Sequence, residues 1–475
     1  MIPSLVLVPL ALAAVTFALP GARLRPWVVI AGAALHGAMV VATWIVRPGP
    51  ELSGWFAVDA AGLLVLTVVS AVFLPCAVYA KGYLATHPER DNRVFAGSLL
   101  LLLSAMTAVA LVQHLGLLWV IIEVTTLATA PLLYFRRDAL SLEATWKYLM
   151  VCSLGIALAL LGTFFLALAS AAPGGPRSLH LPDLVAAGEQ LSRPWVRAGF
   201  VFLLVGYGTK MGLAPFHAWK PDAYGEAPGV LGALLSGGVT NVAFLALVRV
   251  TAVCQAAGEG TFARGALLGV GLLSIAVAAV FMVGQRDVKR LLAYSSVEHM
   301  GILAFGVGLG GAAAAGAFFH MVNNGLTKTV LFLTAGNIHR AFGSKRVDEL
   351  RGAARRLPVS GPLFLAAFLA ITGSPPFSPF FSELAILRGA LAGDRPFVAA
   401  AFLVLLAVVF VTMGATVLRV VQGRPPTEAL DDELRESPLT AGPPLALLLA
   451  VLALGLFVPG ALLDLFEAAA AAVRG

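Results

Sequence analysis

Long apolar segments dominate this sequence and determine what it can fold into. Hydrophobic residues make up 59% of the 475 residues and charged residues only 12%, whereas soluble domains contain about 25% charged residues. Because so few polar side chains cannot cover the surface of a protein in water, the sequence indicates that the chain folds in lipid. This excludes a soluble enzyme, a nucleic-acid-binding protein and a disordered scaffold, and it makes lipid a direct neighbour of the chain.

The apolar segments predict an all-α polytopic membrane protein with about 14 transmembrane helices. We number the predicted spans 1 to 14 in chain order: 3–20, 26–46, 57–80, 94–112, 114–135, 145–170, 195–215, 228–252, 263–283, 287–310, 312–338, 360–390, 397–421 and 440–460. The amphipathic tail Leu462–Val473 is expected to lie at the membrane interface.

The distribution of Lys and Arg predicts the orientation of these spans. If both termini lie outside, the connections that face the cytoplasm carry more than twice as many basic residues as the opposite connections. This bias fits the positive-inside rule. The formal net charge of +7 therefore reflects membrane topology, and no nucleic-acid partner is expected.

A few ionisable side chains lie inside or beside the apolar spans. Since a charge near the bilayer centre costs at least about 2.5–3.5 kcal/mol, such residues tend to be paired and functional. The candidates for a proton or cation path are Glu123, Lys210, His217, Glu298, His299, His320, Lys328 and Glu383. His320, Asn324 and Lys328 follow one another at intervals of four residues, which places them on one helical face.

Structural interpretations compete with this functional one. A single buried histidine such as His299 is often only a hydrogen-bonding partner between two helices, and Glu123 with Lys210 could form a purely structural pair. The whole set of lysines, glutamates and histidines on five spans exceeds what helix packing requires. An ion path explains the set better.

Two spans are interrupted at corresponding places. The predicted hinge residues in spans 7 and 12 are Gly212, Pro215, Gly373, Pro375, Pro376 and Pro379. Paired interrupted helices are typical of transporters with inverted repeats. Glu123 precedes Lys210 by 87 residues and Glu298 precedes Glu383 by 85, which predicts two inverted five-helix repeats formed by spans 4–8 and 9–13.

The repeats suggest a division of the chain into four parts. These are the N-terminal helices (1–93), the first repeat (94–255), the second repeat (256–425) and the last span with its tail (426–475). The three cysteines lie far apart and form no CxxC pair, so we expect no iron–sulfur or zinc site. We also expect no other metal site, no catalytic residue and no cofactor bound by this chain.

Five segments resemble a known family: HLGLLWVIIEVTTLA, YGTKMGLAPFHAWKPDAYGEAP, DVKRLLAYSSVEHMG, FFHMVNNGLTK and GSPPFSPFFSE. They are similar to the antiporter-like proton-pumping subunits of respiratory complex I, Mrp cation/proton antiporters and membrane-bound group 4 nickel–iron hydrogenases. The resemblance is greatest to the F subunits of hydrogenase-4 and formate hydrogenlyase-type complexes. It implies a location in the cytoplasmic (inner) membrane of a bacterium or archaeon.

The resemblance also implies roles for individual residues. Glu123 matches a glutamate that pairs with the lysine matched by Lys210, and Glu383 matches the residue that exchanges protons with the outside. Lys328 matches a lysine, with His320 matching a histidine two turns before it. Asn241 and Asn324 replace residues that carry protons in relatives, so water must bridge there. The role of Asp222 and Glu226 stays open, with structural capping favoured.

The expected proton path begins at Lys210, continues through waters near Asn241 to His299 and His320, and ends at Lys328 and Glu383. The expected function is proton translocation by a membrane subunit of an oxidoreductase complex that has no redox centre of its own. Its partners would be other integral membrane subunits and a peripheral arm of the nickel–iron hydrogenase or quinone reductase type. The alternatives are a subunit of a multisubunit Na⁺/H⁺ antiporter and a non-pumping membrane anchor.

Overall fold

Helices form almost all of the chain in the computed structural model, which describes residues 1–424 and 436–474. Within these ranges no strand is longer than an isolated bridge. The first ten α-helices are α1 Ile2–Ala18, α2 Arg25–Val46, α3 Ala60–Ala85, α4 Arg93–Leu111, α5 Leu115–Leu133, α6 Ala139–Ser170, α7 Leu181–Ala186, α8 Arg193–Met211, α9 Trp219–Glu226 and α10 Gly229–Leu234. The next ten are α11 Thr240–Ala256, α12 Gly260–Met282, α13 Val288–Leu309, α14 Gly311–Phe342, α15 Ala353–Arg356, α16 Ser360–Ile371, α17 Ser378–Ala392, α18 Pro396–Val421, α19 Pro438–Leu456 and α20 Gly460–Ala471.

Each of the 14 predicted spans corresponds to at least one of these helices. Helices α1 to α6 correspond to spans 1 to 6, α8 to span 7, α10 with α11 to span 8, α12 to α14 to spans 9 to 11, α16 with α17 to span 12, and α18 and α19 to spans 13 and 14. Among the described residues, 10 helical segments are long and apolar enough to cross a membrane. The predicted polytopic all-α fold is confirmed.

Side chains in the connections define where several helices begin. The carboxylate of Asp59 accepts a hydrogen bond from the backbone N–H of Gly62 at the start of α3. Asp138 and Ser141 form a reciprocal capping box at the start of α6, and Asp287 accepts two backbone hydrogen bonds at the start of α13. Such caps satisfy N–H groups that have no partner within the helix. The polar residues between the spans therefore fix the helix ends.

Both predicted breaks are present. Helix α8 ends before Gly212 (φ +79°) and the chain resumes as α9, whereas α16 ends before Gly373 (φ +69°) and the chain resumes as α17. Glycine adopts this left-handed conformation without the steric cost that a Cβ would bring. Pro379 differs from the prediction because it lies in the first turn of α17, where its missing N–H costs no hydrogen bond.

A third interruption is absent from the sequence prediction. Predicted span 8 consists of α10, a π-helical segment Leu235–Val239, and α11. π-Helical turns leave part of the backbone with altered hydrogen bonding and occur frequently at functional sites. The side chain of Asn241 donates to the carbonyl oxygen of Gly237 in this segment at 2.8 Å.

The two predicted repeats have the same order of neighbouring helices. In the first, α4 packs on α5, α5 on α6, α6 on α8, and α8 on α11. In the second, α12 packs on α13, α13 on α14, α14 on α16 and α17, and both of these on α18. If each repeat crosses the membrane five times, the second begins on the side opposite to the first, as inverted repeats require. The inversion of the repeats stays a prediction.

Helix α14 lies at the centre of the helix bundle. It contacts α3, α10, α13, α16, α17, α19 and α20. Most of its residues are therefore shielded from lipid, and it can carry polar and charged side chains at positions that a peripheral helix could not tolerate.

The predicted C-terminal tail forms α20, and the apolar face of this helix packs on α3 and α14, with the Phe319 and Phe466 ring centroids 5.2 Å apart.

Two of the three predicted division points fall at helix ends. The point between 93 and 94 lies at the start of α4, and the point between 255 and 256 lies at the end of α11. The point between 425 and 426 lies outside the described residues. The division into four parts stays a prediction.

Candidate ion-translocation site

Lys210 is a fully buried lysine in the last turn of α8. Its Nζ donates hydrogen bonds to Thr126 Oγ1 on α5 at 2.9 Å and to the hydroxyl of Tyr148 on α6 at 2.8 Å. It also lies 5.0 Å from the centroid of the Tyr148 ring, within the range of a cation–π contact. Neutral dipoles thus solvate this ammonium group.

Glu123 lies one turn before Thr126 on α5 and is half-buried. Its Oε1 accepts a hydrogen bond from Ser153 Oγ on α6 at 2.7 Å, and its Oε2 is buried without a partner. Among the described residues no ion pair within 4.0 Å joins Glu123 to Lys210. The pair that the family resemblance implies is therefore not a direct contact here, and Ser153 holds the carboxylate instead.

A second buried lysine follows the break in span 7. Lys220 on α9 is fully buried, and its Nζ donates to Ser296 Oγ at 3.1 Å and to the Ser296 carbonyl oxygen at 3.3 Å. Its aliphatic stem packs on Gly212, where a Cβ would lie 2.2 Å from Lys220 Cε. Gly212 therefore provides both the turn that ends α8 and the space for this lysine.

Lys220 differs from the expectation for its position. It lies between predicted spans 7 and 8, so the sequence predicts that it is one of the basic residues in the connections. The structure instead folds this segment back into the bundle, because α9 packs on α6 and α13. Its sequence signal is weak: the aromatic neighbours Trp219 and Tyr224 favour a buried environment.

Two adjacent serines of α13 connect the lysines of the two repeats. Ser296 binds Lys220 and also accepts a hydrogen bond from Ser236 Oγ at 3.1 Å. The next hydroxyl, Ser295 Oγ, accepts a hydrogen bond from Nζ of the buried Lys328 on α14. Ser295 Oγ in turn donates to Glu298 Oε2 at 3.3 Å. The residues predicted in spans 10 and 11 thus share one hydrogen-bonded cluster.

Two histidines continue from Glu298 towards α17. His299 Nε2 lies 3.7 Å from Glu298 Oε2, and His299 Nδ1 and His320 Nε2 are hydrogen-bonded at 2.9 Å. His320 Nδ1 is within 3.0 Å of Ser382 Oγ, the residue before Glu383. In this geometry Lys328 precedes both histidines. This arrangement differs from the expected order, with the histidines before Lys328, because position along α14 gives the helical face but not the neighbour on α13. The order of proton transfer stays a prediction.

Glu383 forms the end of this cluster at the second break. It is buried, its Oε1 has no partner, and a Cβ on Gly373 would lie 2.3 Å from its Oε2. A cavity of about 380 Å³ between α17 and α18 reaches Glu383 and is otherwise lined mainly by apolar side chains. The missing side chain at Gly373 thus leaves room for the carboxylate.

Three candidate residues make few polar contacts. Asn324 is fully buried and neither of its amide atoms has a hydrogen-bond partner, and Asn241 Oδ1 also lacks one. Such buried groups require water. His217 is half-buried between the rings of Phe281 and Tyr294, with its Nδ1 unpartnered, and the structure does not bring it into the cluster.

Asp222 and Glu226 hold helices together at the end of α9. Asp222 accepts Lys147 at 2.9 Å and Arg290 at 2.5 Å, whereas Glu226 binds Lys345 and lies 3.7 Å from Arg136. These ion pairs tie α9 to α6, α13 and the connection after α14. They are structural contacts between elements, and α9 itself has no side-chain cap.

Of the described residues, one group of buried side chains could hold a metal ion. Ligand atoms of His299, His320 and Glu383 lie within 4.8 Å of one another. Two imidazoles with one carboxylate are suitable ligands for a transition metal. However, the two histidines already use facing nitrogens in a hydrogen bond to each other. The geometry thus joins the two imidazoles directly to each other.

Comparisons with known proteins agree with this arrangement. Residues 112–410 match the transmembrane family described as "NADH:quinone oxidoreductase/Mrp antiporter, TM". The chain belongs to this family. The matched region contains Lys210, Lys220, Lys328 and Glu383, together with both breaks, so the family resemblance inferred from the motifs is confirmed.

Individual relatives point to the same family. The chain is 35% identical over 427 residues to a hydrogenase-4 component F homolog of Methylacidiphilum infernorum, covering 87% of each chain. It is 33% identical to NADH-quinone oxidoreductase subunit N of Desulforudis audaxviator, covering 76% of this chain and 74% of the relative. In a solved structure, a chain of Thermus thermophilus respiratory complex I with bound NADH matches over its whole length, with a TM-score of 0.84 and 25% identity.

Proposed function

We propose that this antiporter-family chain is a proton-translocating membrane subunit of a redox-driven complex of the hydrogenase-4/formate hydrogenlyase or NADH:quinone oxidoreductase type. The observation that carries this proposal is the row of buried ionisable and hydroxyl side chains across both repeats. The members of the row are Lys210, Lys220, Ser296, Ser295, Lys328, Glu298, His299, His320 and Glu383.

The row has a well-connected part and a part that requires water. From Lys220 to Glu383 most members are joined by a hydrogen bond or a short ion-pair distance. Lys220 contacts Ser296, Lys328 and Glu298 both contact the neighbouring Ser295, Glu298 lies 3.7 Å from His299, His299 contacts His320, and His320 contacts Ser382 beside Glu383. Between Lys210 and Lys220 the structure gives no direct hydrogen bond. We propose that water bridges this gap. Lys220 supplies a basic group that neither Asn241 nor Asn324 can provide.

Glu123 is the candidate for the gate at the Lys210 end. A carboxylate 4 Å from an ammonium group stabilises it by about 4 kcal/mol at an effective dielectric constant near 20. Transfer of one proton charge against 100 mV costs about 2.3 kcal/mol. If Glu123 moves between Ser153 and Lys210, the change in electrostatic energy is therefore large enough to load and release the lysine's proton.

The chemistry around Glu383 favours protons over sodium ions. A sodium site would require several oxygen ligands, whereas the neighbours of this carboxylate include the two imidazoles of His299 and His320. Imidazole suits transition metals and protons, and oxygen ligands suit hard cations. The proposed ion is therefore H⁺.

The proposed setting follows from the family and the charge distribution. The chain would lie in the cytoplasmic (inner) membrane of a bacterium or archaeon, with both termini outside and the more basic connections inside. It would bind no cofactor and would depend on other integral membrane subunits and on a peripheral redox arm for its energy. An arm of the nickel–iron hydrogenase or quinone reductase type fits the relatives.

Replacement of Lys210 with Ala in the assembled complex tests the function. In proteoliposomes, proton uptake coupled to electron transfer should be lost, while the variant subunit should still co-purify with its partners. Lys147→Ala is the matched control, because Lys147 is half exposed and Asp222 would keep Arg290 as a partner. The control should pump like the wild type.

Three results would contradict the proposal. Undiminished pumping by the Lys210 variant would show that the row is not the proton path. Unchanged transport after combined Glu123→Gln and Lys210→Met substitution would instead support a membrane anchor. Proton uptake that requires external sodium and continues without electron transfer would support the antiporter alternative.

A further inference from the structure

A basic cavity lies where α2 begins and α3 ends, far along the chain from the proposed proton row. It has a volume of about 600 Å³, and its walls come from the α1–α2 connection and from the α3–α4 connection. Four basic side chains line it: Arg23, Lys81, His87 and Arg90. These connections lie at the ends of membrane spans, so the cavity is placed at the boundary between lipid and water.

Most of the positive charge in this cavity has no carboxylate partner. Arg23 and Lys81 form no ion pair within 4.0 Å among the described residues. The two acids in the neighbouring loop are already engaged. Asp91 binds the buried Arg25 at 2.5 Å, and the exposed Glu89 lies 3.4 Å from Arg90. The cavity is therefore an uncompensated cationic site.

An aromatic side chain marks the lipid-facing edge of the cavity. Trp27 is 54% exposed, and Lys81 Nζ lies 3.8 Å from the centroid of its ring. Tryptophan at such a position is typical of the headgroup level of a bilayer. From Trp27 an exposed apolar stripe runs along one face of α2, formed by Trp27, Ala31, Leu35, Ala38, Val41 and Ile45. A basic cavity thus opens directly onto a surface suited to an acyl chain.

We propose that this cavity binds the phosphate headgroup of an anionic phospholipid, with an acyl chain along the exposed stripe of α2. Arg23, Lys81 and Arg90 supply the donors for the phosphate oxygens, and the Trp27 indole holds the glycerol and upper acyl region. Basic pockets between transmembrane helices are suited to such headgroups. This site goes beyond the proposed proton path and shares no residue with it.

Lipid retention by the purified complex tests this site. The complex is equilibrated in mixed micelles with equal amounts of phosphatidylglycerol and phosphatidylcholine, and the lipids bound to the subunit are measured by native mass spectrometry. The wild type should retain phosphatidylglycerol in preference to phosphatidylcholine. Because each interfacial basic group contributes about fivefold to anionic lipid binding, the double variant Arg23→Gln/Lys81→Gln should retain about 25-fold less.

The matched control removes two exposed arginines elsewhere, in the variant Arg47→Gln/Arg419→Gln. It should retain phosphatidylglycerol like the wild type. Lys81→Arg, which keeps the charge, should also retain it and shows that the site tolerates substitution. Equal retention by the double variant and the wild type would overturn the proposal. Displacement of the bound lipid by millimolar inorganic phosphate would show that free phosphate is the ligand and would also overturn it.

Discussion

Replacement of Lys220 with methionine should interrupt proton transfer between the two repeats while the subunit remains folded and assembled. Lys220 is the basic group between the Lys210 region and the serine pair on α13, and it is fully buried. Methionine has a similar length and flexibility but cannot carry a proton. The substitution therefore separates the role of this side chain as a carrier from its role in packing.

The structure sets the size of both effects. Loss of the Lys220 hydrogen bonds leaves Ser296 Oγ with the hydroxyl of Ser236 as a partner, so the stability should change by only about 1 kcal/mol. Transport is affected more, because a proton charge that passes this place without a basic group costs at least about 2.5–3.5 kcal/mol. Since about 1.4 kcal/mol corresponds to a tenfold change in rate, pumping should slow by about 100-fold.

The measurement is the number of protons taken up per electron by proteoliposomes that contain the assembled complex. Lys147→Met is the control, because it removes a half-exposed lysine of the same repeat that lies outside the row. Lys220→Met should give near-zero proton uptake at a normal subunit content, whereas the control should match the wild type. A normal proton-to-electron ratio in Lys220→Met would refute the place of this residue in the path.

Two further substitutions test the second break and the ion pair that joins α11 to the start of α3. Gly373→Ala should disturb Glu383, because the new Cβ would collide with its carboxylate, and should reduce pumping by tenfold or more. Gly343 is the control, since it has a similar positive φ of +65° and no atom lies within 4 Å of a new Cβ there. Gly343→Ala should leave proton uptake per electron unchanged. Equal losses in both variants would show that backbone strain alone is responsible. Arg249→Met should lower the stability of the subunit by about 1.5–3 kcal/mol, measured by thermal unfolding in detergent, because Arg249 binds the partly exposed Asp59 and donates to three backbone carbonyls. The exposed Arg47→Met should cause little change, and a similar loss there would contradict this explanation.

Much of the fold could be predicted because the bilayer imposes a simple rule on helix length. Runs of about 20 apolar residues marked every span, and Gly212 and Gly373 marked both breaks because their positive φ values favour glycine. The π-helical segment could not be predicted. Its residues, Leu235–Val239, have no distinctive composition, and their conformation depends on contacts with α14 and α3.

The candidate site was only partly predictable, for a physical reason. A charged residue inside an apolar run is visible in the sequence, and this identified Lys210, Lys328 and Glu383. Lys220 lies between two apolar spans, where a charged residue is not unusual. Its burial depends on how α9 folds back into the bundle, so the sequence does not identify it. The hydrogen bond from Ser153 to Glu123 depends on how α5 and α6 are oriented relative to each other. Residue spacing along one helix does not specify this orientation.

The placement of two lysines on adjacent serines gives the row a direction. Lys220 binds Ser296 and Lys328 binds Ser295, so two protonated lysines at these positions would repel each other in a region with little water to screen them. Glu298 contacts the same Ser295 hydroxyl as Lys328 and offers a carboxylate to a departing proton. The arrival of a proton at Lys220 therefore favours its release from Lys328 towards Glu298 and the histidine pair. In the proposed path, a change at Glu123, in the first repeat, would thus promote proton release at Glu383, in the second, without a large movement of any helix between them.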